Sequence, residues 1–348
     1  MEQRSRRAET RAPSIWRGPT IAEIAEASGV GTATVDRVLN GRGGVREVTR
    51  TKVLDALAQL GAGLRADAPG RRRIAVLADS GISFNQSLQQ AAEEYGAAHP
   101  GLDVGFTAIQ TAEVDPIKFA QLIERTAGEA DGLVVVARED LMINRAIRTI
   151  TGRGVPVVCI TTDLPNSNRT AYVGSDQTNA GATAAYLMGR VLGDRSGKIL
   201  LVCSAPYRSQ EERELGFRRV LRAEFTHLRV EERVNSNDDA EYSRRSVRKY
   251  IAEHGAPIGV YNVAGGNVGI ARALEDEGLK GKVVFIGHEL NANSRMLLES
   301  GGMDFVVGHD VDREVAQSVE VIEAFLDKRP LPAPARTKVR VYTKYSCN

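Results

Sequence analysis

From Ile74 onward, short apolar runs alternate with longer amphipathic stretches. The runs are IAVLAD, DVGFTAI, GLVVVA, VPVVCI, KILLVC, LRVEE, IGVYNV and KVVFIG. The stretches between them include QSLQQAAEEYGAAH, QTNAGATAAYLMGRVLG and GGNVGIARALEDEG. Strand and helix repeating in this way define an α/β class with parallel sheets covered by helices. Upwards of about ten strands is large for a single sheet, so the segment 74–348 is expected to form two doubly wound lobes. Ligands of such folds sit at the carboxyl ends of the strands, where the loops converge.

Residues 20 to 41, TIAEIAEASGVGTATVDRVLNG, do not fit that repeat. Thr20 followed by Glu23 makes a capping box, and Ile21, Ile24 and Ala25 form a helical stripe running to about Ala27. Gly29 supplies the left-handed residue that a tight turn needs. A second helix is expected from Thr32 to Asn40, with Val35, Val38 and Leu39 inward and Thr32, Ala33, Asp36 and Arg37 outward. A third, from about Arg46 to Leu60, offers Val53, Leu54, Leu57 and Leu60 to the same core, and Gly61 ends it. Three helices with a tight first turn describe a helix-turn-helix. A slim second helix fits the DNA major groove, and its arginine can bond guanine O6 and N7 together. A plain three-helix bundle with Arg37 as a solvated charge is the alternative.

Charge separates these two parts. The chain of 348 residues carries a net charge of +2. Residues 1–73 hold fourteen Lys and Arg against eight Asp and Glu, whereas the remainder holds 32 against 36. A basic head on a slightly acidic body suits a polyanionic partner at the head alone. Residues 1–19 are basic and lack an apolar core, so they are expected to be a disordered tail and not a secretory signal. Nothing approaches the roughly 20 apolar residues of a membrane helix. Cysteines 159, 203 and 347 show no metal spacing. The first two fall in apolar strands, which favours a reducing cytoplasm, and Cys347 is expected to be exposed.

Catalytic signatures are missing. No G-x-G-x-x-G follows a strand, and neither a P-loop nor G-x-S-x-G occurs. His288-Glu289 has no second histidine four residues on. Gly265-Gly266-Asn267-Val268-Gly269 reads as a close-packed helix start. Neither enzymatic activity nor a cofactor nor a metal is expected.

The runs TIAEIAEASGV, TATVDRVLNG and VREVTRTKVLDALAQLG closely resemble the DNA-binding head of the lactose-repressor (LacI) family. By that resemblance Thr32, Ala33 and Arg37 fall where the family reads bases, and Thr34 and Asn40 where it touches phosphate. Thr20 joins this DNA-binding set at the first helix start. Gly31 and Asp36 replace serines that are usual in the family. Asp36 places a negative charge beside DNA, tolerable as an acceptor from cytosine N4 or beside a cation. The resemblance divides the chain into a tail (1–19), a DNA-binding domain (20–61), a short linker (62–73) and a sensor and dimerisation domain (74–348). The linker AGLRADAPGRRR is shorter than the family's hinge segment, and Pro69-Gly70 breaks any helix there.

The body is similar, more diffusely, to the family's sensor, a two-lobed periplasmic-binding-protein-like fold. The anchors are VPVVCITTDLPNSNRTAYVGSDQTNAG, RSQEERELGF, VFIGHEL and FVVGHD. The resemblance implies a ligand set of Phe84, Asn85, Asp163, Asp176, Arg213, Asn262, Asn267, Glu289 and His309. Glu289 stands where the family commonly has aspartate, and His309 where it often has glutamine. Each has a structural alternative: Asp163, Asp176 and Glu289 as caps, Arg213 in a surface ion pair, His309 as a satisfied interface residue. Carboxylates, amides and an arginine beside an aromatic face suit a sugar, a polyol or a derivative. The whole implies a cytoplasmic, homodimeric transcription regulator, commonly a repressor, whose affinity for double-stranded operator DNA answers to a small effector. A transporter's binding protein, a sugar enzyme with an appended head and a nucleoid-type DNA binder are the rival readings.

Overall fold

The computed structural model describes residues 20–39, 44–66, 71–333 and 336–347. The expected tail and Asn40 lie outside the described residues. The chain divides into two compact units, residues 1–71 and 72–348.

The first unit contains α1 (Ile21–Ser28), α2 (Thr32–Leu39) and α3 (Glu47–Ala66). The capping box is present: the Glu23 amide donates to Thr20 Oγ1 at 3.3 Å, and the Thr20 amide donates to the Glu23 carboxylate at 2.6 Å. Gly29 closes α1 at φ +65°, and the Val30 amide returns to the Ala25 carbonyl. The core is Ile24, Val35, Val38, Val53 and Ala56. Leu39 and Leu54, expected inside, are exposed. A core this small covers only a narrow stripe of each helix, and residues at the stripe's edge stay wet. The third helix passes through Gly61 to Ala66. An interior glycine costs only about 1 kcal/mol, and the helix formers Ala62, Leu64, Arg65 and Ala66 work against the two here, Gly61 and Gly63. Residues 62–66 of the expected linker are therefore helical, and 67–70, with Pro69-Gly70, lie outside the described residues.

The second unit begins with β1 (Arg72–Ser80), α4 (Ile82–Ala98), β2 (Leu102–Gln110), α5 (Pro116–Ala127), β3 (Gly132–Val136), α6 (Leu141–Gly152), β4 (Val157–Ile160) and β5 (Ala171–Val173). It continues with α7 (Gln177–Leu192), β6 (Gly197–Cys203), α8 (Arg208–Glu224), β7 (Leu228–Asn235), α9 (Ala240–His254) and β8 (Gly259–Asn262). Then come α10 (Asn267–Asp276), β9 (Val284–His288), α11 (Ala292–Glu299), β10 (Phe305–Gly308), α12 (Val311–Leu326) and β11 (Arg340–Tyr342). Two sheets result, in the orders β2-β1-β3-β4-β5 and β11-β10-β9-β8-β6-β7. All named pairings are parallel except β10 with β11, which is antiparallel. Continuous burial along β1, β3 and β4 is what double coverage by helices demands.

Helix α12 returns to the first lobe. Its Val315, Val319 and Ile322 share a core with Val134, Val158 and Ile160. Gly132 lets it approach, because a Cβ there would collide with Ile322. The chain therefore passes between lobes three times, around residues 174–176, 308–310 and 327–339. Cys347, expected at the surface, is buried in the second lobe's core beside Val306 and Met303. The short last strand carries it inward.

Candidate functional site

The carboxyl ends of both sheets face one cavity of about 270 Å³. That is near the lower end of small-ligand sites, about 300 Å³. The first lobe supplies the loops after β1 and β4, with Ser80, Phe84, Thr161 and Thr162; the second supplies those after β6, β7, β8 and β9, with Ser209, Arg213, Asp238, Asn267 and Glu289. Among the described residues no group of three or more His, Cys, Asp or Glu could hold a metal ion.

Arg213 is the cation of the wall. Helix α8 crosses α7 so closely that a Cβ on Gly181 would overlap the Arg213 carbonyl, and one on Gly216 the Thr178 carbonyl. The buried guanidinium donates from Nε to Gln177 Oε1 at 2.8 Å and from Nη1 to the Val263 carbonyl at 2.9 Å. Gln177 in turn donates to the Thr161 carbonyl at 3.0 Å. Thr161 Oγ1 donates to Glu314 Oε2 at 3.0 Å. The other oxygen of the fully buried Glu314 accepts from Thr337 at 2.8 Å and faces His309 Nδ1 at 2.9 Å. This polar chain runs from the cavity wall to all three crossings between lobes. Burial works against charge on His309, but Glu314, by charge and hydrogen bond, outweighs it and raises the imidazole pKa above its ordinary value.

Glu289 reaches the cavity from the end of β9, and its carboxylate accepts no hydrogen bond from a described residue. Burial pushes its pKa up, partly offset by Arg213 and His309. Such a group gains most from a ligand that donates to it. Neighbouring His288, buried and 2.8 Å from the Tyr261 hydroxyl, is pushed well below its ordinary pKa by burial and then by Arg213. It stays neutral near pH 7. Thr161, Asp238 and Glu289 all have left-handed backbones, at φ +65°, +53° and +69°. Each costs about 1–3 kcal/mol, and such strain gathers where a site dictates the conformation.

Of the expected ligand set, Phe84, Arg213, Asn267 and Glu289 line the cavity, and Asn85, Asp163, Asp176, Asn262 and His309 do not. Asn85 turns to the Ser80 carbonyl. Asp163 is held by the Arg169 guanidinium, and Asp176 caps α7 and pairs with Arg336. Asn262 shapes the loop before α10 by donating to Gly265 and Asn267. His309 lies behind Phe84, ring centroids 6.1 Å apart, with its Nε2 buried and without a partner among the described residues. Each sits close in sequence to a strand end, but side-chain direction and a nearer partner divert it.

Sequence reasoning missed Asp79, Asp238 and Ser209. Asp79 carried a signal, a carboxylate closing an otherwise apolar strand. It is fully buried and paired with Arg138, Nε to Oδ2 at 2.5 Å. Asp238, inside NSNDDAE, had no periodicity to mark it.

In the head, Thr32, Ala33 and Arg37 are exposed on α2 and Thr34 is half-buried. Thr20 is exposed but committed to its cap, its hydroxyl lying 2.8 Å from Glu23.

A head that exposes one arginine-bearing helix, joined to a two-lobed body with a polar interlobe cavity, defines the class of ligand-binding DNA regulators. Residues 20–61 match the model of bacterial regulatory proteins of the lacI family, and residues 74–330 match that of the periplasmic binding protein domain. The chain belongs to the lacI family of regulators, with a periplasmic-binding-protein body. It is thus a DNA-binding regulator with a small-molecule-binding domain, and neither family is enzymatic. Among solved structures, an ABC transporter solute binding protein from Burkholderia graminis C4D1M in complex with D-arabinose is 21% identical, covering 79% of this chain and 96% of that one at a TM-score of 0.72. One from Agrobacterium vitis with bound D-fucose is 20% identical, covering 78% and 96% at 0.72. GanP, a glucose-galactose binding protein from Geobacillus stearothermophilus, is 19% identical, covering 79% and 98% at 0.71. These likenesses establish the fold. No curated protein matches the chain. No helix among the described residues is long and apolar enough to cross a membrane.

Proposed function

We propose that the protein is a transcription regulator, acting as a repressor, whose operator affinity is set by a monosaccharide-sized polyhydroxylated effector held between its lobes. The observation that carries this is the pairing of Arg213 and an unengaged Glu289 in one interlobe cavity, on a chain with an arginine-bearing reading helix. Arg213 offers donors and Glu289 offers acceptors, the two halves of a vicinal-diol site, and Phe84 supplies an apolar face. Asn267 and Ser209 complete the contacts. The sugars named with the two solute binding proteins support the ligand class. Two heads on a homodimer would read two half-sites, with Thr32, Ala33 and Arg37 at bases and Thr20, Thr34 and Asn40 at the backbone. The effector regulates through its unequal affinity for the DNA-competent and incompetent lobe arrangements. The protein binds its effector without turnover, in the cytoplasm.

The test has two arms. A thermal-shift screen of aldoses, polyols and sugar acids should find a compound that raises Tm, since about 100 times Kd of ligand stabilises by roughly 2.7 kcal/mol. Selection from a randomised duplex pool should yield a near-palindrome whose binding that compound weakens. Arg37→Ala should then cost about 1–3 kcal/mol on the selected duplex, measured by fluorescence anisotropy. No duplex preference with or without the compound would sink this reading.

A further inference from the structure

We infer that Tyr207 and Asp238 form a latch that holds the two lobes closed over the cavity by protein–protein bonds, before any effector binds. Tyr207, at the N-terminus of α8 in the second lobe, sends its hydroxyl into the first. There it donates to Asp79 Oδ1 at 2.7 Å, with the Asp79 carbonyl 3.0 Å away. The acceptor is fixed in place: Arg138 grips the Asp79 carboxylate through Nε and Nη2 and the Thr111 carbonyl through Nη2. The Arg138 guanidinium also lies 5.8 Å from the centre of the Tyr207 ring. Thr111 belongs to the first lobe too, and its hydroxyl donates to Asp238 Oδ2 of the second at 2.7 Å. Asp238 Oδ1 accepts from the Gly265 amide at 2.6 Å, so both carboxylate oxygens are used.

Two further observations say that the contact is built. Asp238 is held in the left-handed region. Gly81, facing it across the cleft, leaves no room for a side chain, because a Cβ there would lie 2.8 Å from the Asp238 Cβ. Gly81 has φ −68°, so alanine would suit its backbone, and only the closed lobes exclude it. Gly81 and Asp238 also border both the main cavity and a second cleft of about 260 Å³. The latch therefore stands between the effector cavity and this neighbouring cleft. The inference rests on the reading that effector binds between the lobes, because only then does closure set effector affinity. Tyr207 is a positioning residue.

Tyr207→Phe keeps the ring and removes the hydroxyl; Gly81→Ala removes no latch group but wedges the lobes apart against Asp238. Two interlobe amide bonds report closure: Glu139 N–H to the Pro206 carbonyl at 3.1 Å, and Ser209 N–H to Thr162 Oγ1 at 3.2 Å. In hydrogen exchange on the full chain, with neither effector nor DNA, both variants should speed exchange at these two amides by about tenfold or more. Protection in β1 and β8 should stay at the wild-type level. Unchanged exchange at Glu139 and Ser209 in both variants would overturn the latch. So would equal acceleration in β1 and β8, which would mark general destabilisation. Neither result depends on an effector being found, so failure here is separable from failure of the proposed function.

Discussion

Glu314→Ala is expected to destabilise the body by about 3–5 kcal/mol, the usual cost of removing one partner of a buried pair. Glu314 is fully buried and accepts from Thr161 and Thr337 while pairing with His309. Alanine strands three polar side chains in a site from which water is excluded. Urea denaturation monitored by circular dichroism measures the loss. A pH series with the near-isosteric Glu314→Gln variant separates charge from shape. The folded state holds the His309 proton more tightly than the unfolded chain does. Its stabilisation is therefore fully present below the unfolded value of about 6.5 and is lost as pH rises through the raised folded value. His288 acts in the opposite sense, since its folded pKa is lowered and its contribution fades as pH falls. The difference between wild type and Glu314→Gln cancels His288. That gap should be widest near pH 6 and narrow as pH rises. A gap independent of pH would remove His309 from the pairing.

Gly181→Ala is expected to cost about 3 kcal/mol or more and to abolish effector binding as well. Within a helix, alanine is usually the better residue by up to about 1 kcal/mol. Here a Cβ would overlap the backbone carbonyl of Arg213, so α7 and α8 must separate. Overpacking against backbone cannot be relieved by a rotamer change. The displaced residue is the cation of the cavity wall, so stability and effector response should fall together. Gly152→Ala is the control. Gly152 also lies in a helix, α6, but a Cβ there meets nothing within 4 Å. It should be neutral or slightly stabilising in thermal melts, with the effector-induced Tm shift intact. A Gly181→Ala protein with wild-type Tm would show that α7 and α8 do not need this approach.

Much of the fold was legible because its signals are local. The apolar runs of β1, β3, β4 and β6 announced themselves, since strands covered on both faces need no polar positions. Thr20, Glu23 and Gly29 marked the limits of α1 through bonds that span only a few residues. Helix α3 runs past its expected end because Gly61 and Gly63 weigh little against the helix formers around them. The site was harder. Arg213 and Glu289 could be placed by resemblance at strand ends and a helix start, and the cavity includes both. Asp163 and Asp176 stood in equally suitable places, yet Arg169, Arg336 and the α7 cap engage them. Whether a polar side chain faces a cavity or a neighbour depends on which partner is nearer, and those partners come from other loops.

The sequence by itself determined the two-part organisation, the parallel α/β class of the body and the exposure of Thr32, Ala33 and Arg37 on α2. Hydrophobic period, caps and turn residues act over distances of a few positions and survive without tertiary context. Only the tertiary structure decided that Glu314 joins two crossings, at His309 and Thr337, that Tyr207 meets Asp79 128 residues away, and that His309 stands behind the cavity wall. Those pairings depend on two sheets built from distant segments with their carboxyl ends facing one cavity, and no local pattern encodes the angle at which they meet.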